Sequence, residues 1–165
     1  MVRDKLNEYL GIPYFINTGK HKVLSPNNAL VGKGTAKEIA LQTIEFANLQ
    51  KIDLLKFSHQ QIYNFQKKNH LGIDCSGLVC HLLELKVDVR KTSADMLTSM
   101  PLSKPVKKLQ AGDLIRQKDG HHVLLVLENN KNIITFIHSS FSYYGVIMET
   151  TPLAKIDNQG FFRII

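Results

Sequence analysis

Tryptophan is missing from this 165-residue chain, and only two cysteines are present, Cys75 and Cys80. Two cysteines make no disulfide framework. If both lie on one helix, their Cα atoms are about 8.6 Å apart, beyond the roughly 7 Å that a bridge spans without backbone movement. Free thiols are therefore expected. No apolar run is long enough to cross a bilayer, and Met1–Glu8 has no apolar h-region. The chain is thus expected to stay inside or to leave by a route without a signal, unless a leader has been removed. Internal repeats and low-complexity segments are also absent.

Acidic residues are fewer than basic ones, 14 against 21, which gives a net charge of +7. Such a charge suits an anionic polymer, nucleic acid or lipid, and a plain soluble basic surface is the reading favoured. The lysines are scattered, and no dense basic run carries interleaved aromatics, which argues against nucleic-acid binding. The length is that of one ordinary domain with a real core.

The stretch Gly72-Ile73-Asp74-Cys75-Ser76-Gly77-Leu78-Val79 organises the rest. Leu78, Val79, Leu82 and Leu83 fall on one helical face. Asp74 or Ser76 is placed to cap that helix. Cys75 then sits at the helix start, where unpaired N–H groups and the dipole favour a thiolate. Gly72 and Gly77 are expected to leave room near the sulfur for a substrate backbone. Cys80, among Val79, His81 and Leu82, reads as a small buried hydrophobe.

A nucleophilic cysteine needs a base. His122 opens the strand-like run His122–Leu127, and His138 closes Ile133–His138. Alternation sends the adjacent His121 and His122 to opposite faces, so only one can meet Cys75. His138 reads equally as a satisfied histidine at a strand end. His21, His59, His70 and His81 read as structural or surface residues. No familiar zinc spacing joins the cysteines and histidines, and Gly32-Lys33-Gly34-Thr35 lacks the earlier glycine of a phosphate loop.

A helix is expected over 2–10, with Leu6, Tyr9 and Leu10 inward, followed by irregular chain over 11–34. Thr35 and Glu38 fit a capping box for a helix over about 36–48, with Ile39, Ile44, Phe46 and Ala47 as its apolar side. Ser58 starts another over about 59–69, with Ile62 and Phe65 inward. Lys91–Met96 reads as a loop leading into a short helix, and Pro101 and Pro105 mark a further loop. Strands are expected at about 113–117, 122–128, 132–139, 145–150 and 160–165. Helices first and an antiparallel sheet afterwards indicate an α+β domain.

Several strings together resemble the NlpC-like cell-wall cysteine peptidases. They are Leu10-Gly11-Ile12-Pro13-Tyr14, Asp74-Cys75-Ser76-Gly77-Leu78-Val79, Arg90–Asp95, Leu109–Ile115, His122-Val123 and Phe136–Ser140. The resemblance implies one papain-like catalytic domain over 1–165, N-terminal helices packed on a C-terminal antiparallel sheet, with a helical insertion at about 15–70. It implies Cys75 as nucleophile, His122 as base in preference to His121, and His138 as the group orienting the imidazole. Tyr14, Asp74 and Ser76 become substrate or oxyanion contacts, while Asp113 reads as a turn residue.

The implied reaction is hydrolysis of peptidoglycan stem peptides after D-γ-glutamate, through a thiolate–imidazolium pair. It needs no metal or organic cofactor, and a monomer is expected. Leu124 and Leu125 follow His122 where the family often has a glycine. They keep open a thiol acyltransferase or lipid-amide hydrolase of related fold. An inactive cell-wall-binding module is the third alternative.

Overall fold

The structure, a computed structural model, describes residues 2–20 and 22–165, so Met1 and His21 lie outside it. The chain divides into two units, Met1–Asp74 with Ser139–Val146, and Cys75–His138 with Ile147–Ile165.

In the first unit, short side chains that bond back to the backbone set where the helices begin. Thr35 Oγ1 accepts from the Glu38 N–H at 3.2 Å, and Glu38 accepts from the Thr35 N–H at 2.7 Å. Ser58 and Gln61 repeat the arrangement. These caps start α2 (Ala36–Leu49) and α3 (His59–Lys68). Each offsets two orphan donors and stabilises its helix by about 1 kcal/mol. The preceding helix, α1 (Val2–Tyr9), buries Leu6 and Tyr9. Leu10 lies past its end and is 39% exposed, contrary to the sequence expectation.

A second departure is the inward face of α2, which carries Ile39, Gln42, Thr43 and Ala47 while Ile44 is half exposed. Gln42 Oε1 accepts from Asn27 Nδ2 at 2.6 Å, and Thr43 Oγ1 donates to the Ile39 carbonyl and accepts from Gln66 Nε2. Buried polar atoms with partners cost little, so these residues take the place assigned to Ile44. Asp74, the last residue of this stretch, is buried against Lys33, with Nζ 2.8 and 2.9 Å from its two oxygens. Gly72 leaves room for the Pro13 carbonyl, which accepts from the Ile73 N–H at 2.9 Å. That close backbone approach, rather than space for substrate, explains this glycine.

The second unit is built on a six-stranded sheet in the order β1-β6-β2-β3-β4-β5. The strands are β1 (Ser103–Val106), β2 (Leu114–Gln117), β3 (His122–Asn130), β4 (Ile133–Ser140), β5 (Gly145–Pro152) and β6 (Phe161–Ile164). The turn joining β4 to β5 belongs to the first unit. Antiparallel pairing puts Leu114 opposite Leu125 and Ile115 opposite Leu124, and then Leu125 opposite Ile137 and Val126 opposite Phe136.

Successive residues face opposite ways, yet Val123, Leu124, Leu125 and Val126 are all buried, so β3 is covered on both faces. Ile115, Leu124, Val126, Ile134 and Phe136 form one core with Leu109 and Ile156. Helix α4 (Cys75–Leu82) packs on β3 and on the short α5 (Ala94–Leu97). Strand β1 was read from sequence as loop because of Pro105. It lies at the sheet's edge, where a residue without an N–H is tolerated. Helices, then an antiparallel sheet: the α+β class is as expected.

Candidate active site

Cys75 is the first residue of α4, and its side chain is 5% exposed. Leu78, Val79 and Leu82 bury the helix face that follows, and the register of that burial fixes where the first turn sits. Cys75 Sγ lies 4.0 Å from the carbonyl oxygen of His121, the residue just before His122. Both cysteines are free thiols. Cys80 is buried within α4, as a small apolar residue would be.

The adjacent histidines separate as alternation demands. His121 is exposed and His122 is buried. Along β3, His122 shares a face with Leu124 and Val126. Along β4, His138 shares a face with Ile134 and Phe136. These are the same core rows, so the two imidazoles end neighbouring rows of one face and meet there. His122 Nε2 and His138 Nδ1 are 2.9 Å apart in a buried hydrogen bond. The rings meet edge to face with centroids 5.1 Å apart, and Phe136 stacks on His138 in the same way at 5.5 Å. His138 Nε2 reaches the Glu149 carboxylate on β5 at 3.1 Å.

Burial pushes His122 down to about 3, and the His138 ring and Lys118 add to the fall. His138 is also pulled below its ordinary value by burial, against the raising effect of Glu149. Both rings are therefore neutral near neutral pH. Desolvation, which disfavours the charged ring, is the largest cause for both. With Nε2 of His122 engaged by His138, Nδ1 is the nitrogen left for a proton transfer.

Ser76 follows Cys75 in α4 and is buried. Asp74 pairs with Lys33, and Tyr14 makes a backbone bridge to Ile73, both within the first unit. Asp113 does more than turn the chain. It is buried, holds Arg163 Nε at 2.7 Å, and accepts from the Gln110 N–H at 2.8 Å. Among the described residues, no three His, Cys, Asp or Glu side chains cluster as a metal site requires. No helix there is long and apolar enough to cross a membrane.

Sequence reasoning missed Glu149. Its signal was a carboxylate at the inward parity of β5, two residues from Ile147, in a strand whose alternate positions are half-buried.

The model of the NlpC/P60 family matches residues 60–158, more than half of the chain. That span holds Cys75, His122, His138 and Glu149, but not Tyr14. No curated protein and no solved structure matches the chain.

Proposed function

From a chain that belongs to the NlpC/P60 family, whose members are generally hydrolases of cell-wall peptides, we propose a cysteine peptidase that opens amide bonds in peptidoglycan stem peptides. The bond proposed is the one from D-γ-glutamate to the diamino acid. The observation that carries this is the buried 2.9 Å bond between His122 Nε2 and His138 Nδ1, in the unit where α4 begins with Cys75.

Cys75 is read as the nucleophile, His122 as the base and His138 as its orienting partner, the roles a nucleophile–base–orienter set takes in a papain-like fold. As Sγ bonds to the amide carbonyl carbon, His122 Nδ1 takes the thiol proton. The carbonyl π electrons move to the oxygen. The oxyanion then collapses, the C–N bond breaks, and the imidazolium gives its proton to the leaving nitrogen. A water, deprotonated by the same nitrogen, attacks the thioester. The carboxylic product leaves and the thiol regains its proton.

Tyr14, Asp74 and Ser76 are read as substrate-side residues. The segment at about 15–70 is read as a helical insertion of one catalytic domain spanning 1–165. Leu124 and Leu125 had kept an acyl-chain reading open. Both are fully buried and serve the core, so that reading has no residue of its own to favour it.

The test is a digest of purified peptidoglycan fragments read by mass spectrometry, with Cys75→Ala alongside. The expected result is a fragment ending in D-γ-glutamate, lost in the variant by at least about a thousandfold. Intact fragments from folded wild-type protein, or equal cutting by Cys75→Ala, overturn the assignment.

A further inference from the structure

Each hydrogen bond behind His122 dictates the next. An ionised carboxylate can only accept, so Glu149 Oε2, 3.1 Å from His138 Nε2, requires the proton on that nitrogen. A neutral imidazole has one N–H. His138 Nδ1 is then bare and accepts, and the 2.9 Å contact requires the proton of His122 on Nε2. His122 Nδ1 is left unprotonated, the only form in which it can take a proton from a thiol.

The two histidines alone fix nothing. A His–His pair satisfies its hydrogen bond equally well with the protons reversed, Nδ1–H of His138 donating to His122 Nε2. In that arrangement His122 carries its proton on Nδ1 and is no base. The group that breaks the tie must accept and not donate, and it must lie beyond the buried pair. Glu149 meets both requirements, its side chain 32% exposed while that of His138 is 4% exposed. The burial that keeps His138 neutral completes the logic, since a doubly protonated ring would also face its partner with N–H.

We propose that Glu149 is a positioning residue for the reaction, fixing through His138 the one tautomer of His122 that can act as a base. This rests on the roles proposed above for Cys75 and His122, but it is read without substrate. Glu149→Gln removes the bias, because an amide both accepts and donates. Glu149→Met removes the bond at similar size.

The experiment uses the full chain labelled with ¹⁵N-histidine. Long-range proton–nitrogen spectra report the tautomer of each ring, and kcat and KM are measured on the same samples. The expected wild-type pattern is Nε2–H on both His122 and His138. Both variants are expected to give mixed tautomers, with kcat lower by about tenfold or more at unchanged KM. Wild-type tautomers in both variants overturn the proposal, whatever the rate. A fall in kcat with tautomers intact means a merely structural role and also overturns it. If no substrate is cut, the peptidase reading falls while the spectra still decide the tautomer.

Discussion

In the first unit the buried ammonium of Lys33 meets the Asp74 carboxylate at 2.8 and 2.9 Å, charge against charge. In the second, buried His122 hands its hydrogen bond to His138, and His138 to Glu149 at the surface. The first arrangement neutralises itself and ties residue 33 to residue 74. The second runs from a buried ring to a partly exposed carboxylate and engages only Nε2 of His122. The contrast extends to apolar groups. On α2 the polar Gln42 and Thr43 face inward while Leu41, Ile44 and Leu49 are half or more exposed. On β3 five consecutive residues from His122 to Val126 are buried. Burial of polar atoms therefore has two uses here, an ion pair that joins distant chain segments in one unit and a hydrogen-bonded relay of side chains in the other.

Breaking the closed pair is the sharpest test of the first use. Lys33→Met leaves the Asp74 carboxylate buried without its cation, which costs about 3–5 kcal/mol. Urea unfolding should show that loss in its midpoint. A change under about 1 kcal/mol would mean that water or a rearranged side chain takes the place of the ammonium. Leu125→Ala probes the second unit. Its side chain is 0% exposed, between Leu114 and Ile137 on the neighbouring strands. The expected loss is about 2–5 kcal/mol, read in the same way.

The histidine chain should also show itself in acid. A ring whose native value lies near 3, against an ordinary 6.5, binds its proton more readily when unfolded. Stability from His122 is thus complete above pH 6.5 and is lost as pH falls toward 3, the unfolded state taking up the proton first. By about pH 4 the loss is on the order of 3 kcal/mol. His122→Gln cannot take up that proton. The variant should lose less stability than wild type between neutral pH and pH 4, as measured by denaturant midpoints. Equal losses would mean that His122 titrates normally.

What the sequence made legible was whatever depends on near neighbours. The Thr35–Glu38 and Ser58–Gln61 boxes span three residues, and both helices begin where expected. The alternation that separates His121 from His122 is local too, and the five strands anticipated lie within about two residues of those observed. The pairing of His122 with His138 was anticipated from the family pattern, not from spacing. Most of the misses needed a distant partner. Gln42 faces inward because Asn27 lies 15 residues back, Lys33 and Asp74 are 41 apart, and Glu149 meets His138 across two strands. Pro105 was misread because a strand's place at the edge of a sheet is a property of the whole sheet.

The smallest effect belongs to the outward face of α2. Ile44 is 50% exposed, and its neighbours Leu41 and Leu49 are 57% and 73% exposed. If Gln42 and Thr43 hold this helix through Asn27, the Ile39 carbonyl and Gln66, then Ile44→Ser removes apolar surface that was largely in water already. The expected change in stability is within about 0.5 kcal/mol. Had Ile44 been part of the core, as helical periodicity alone suggested, the same truncation with a buried hydroxyl would cost several times more. A denaturant midpoint thus separates the two faces: near-identical curves place the weight of α2 on its polar side, and a loss above about 2 kcal/mol puts it back on the apolar one.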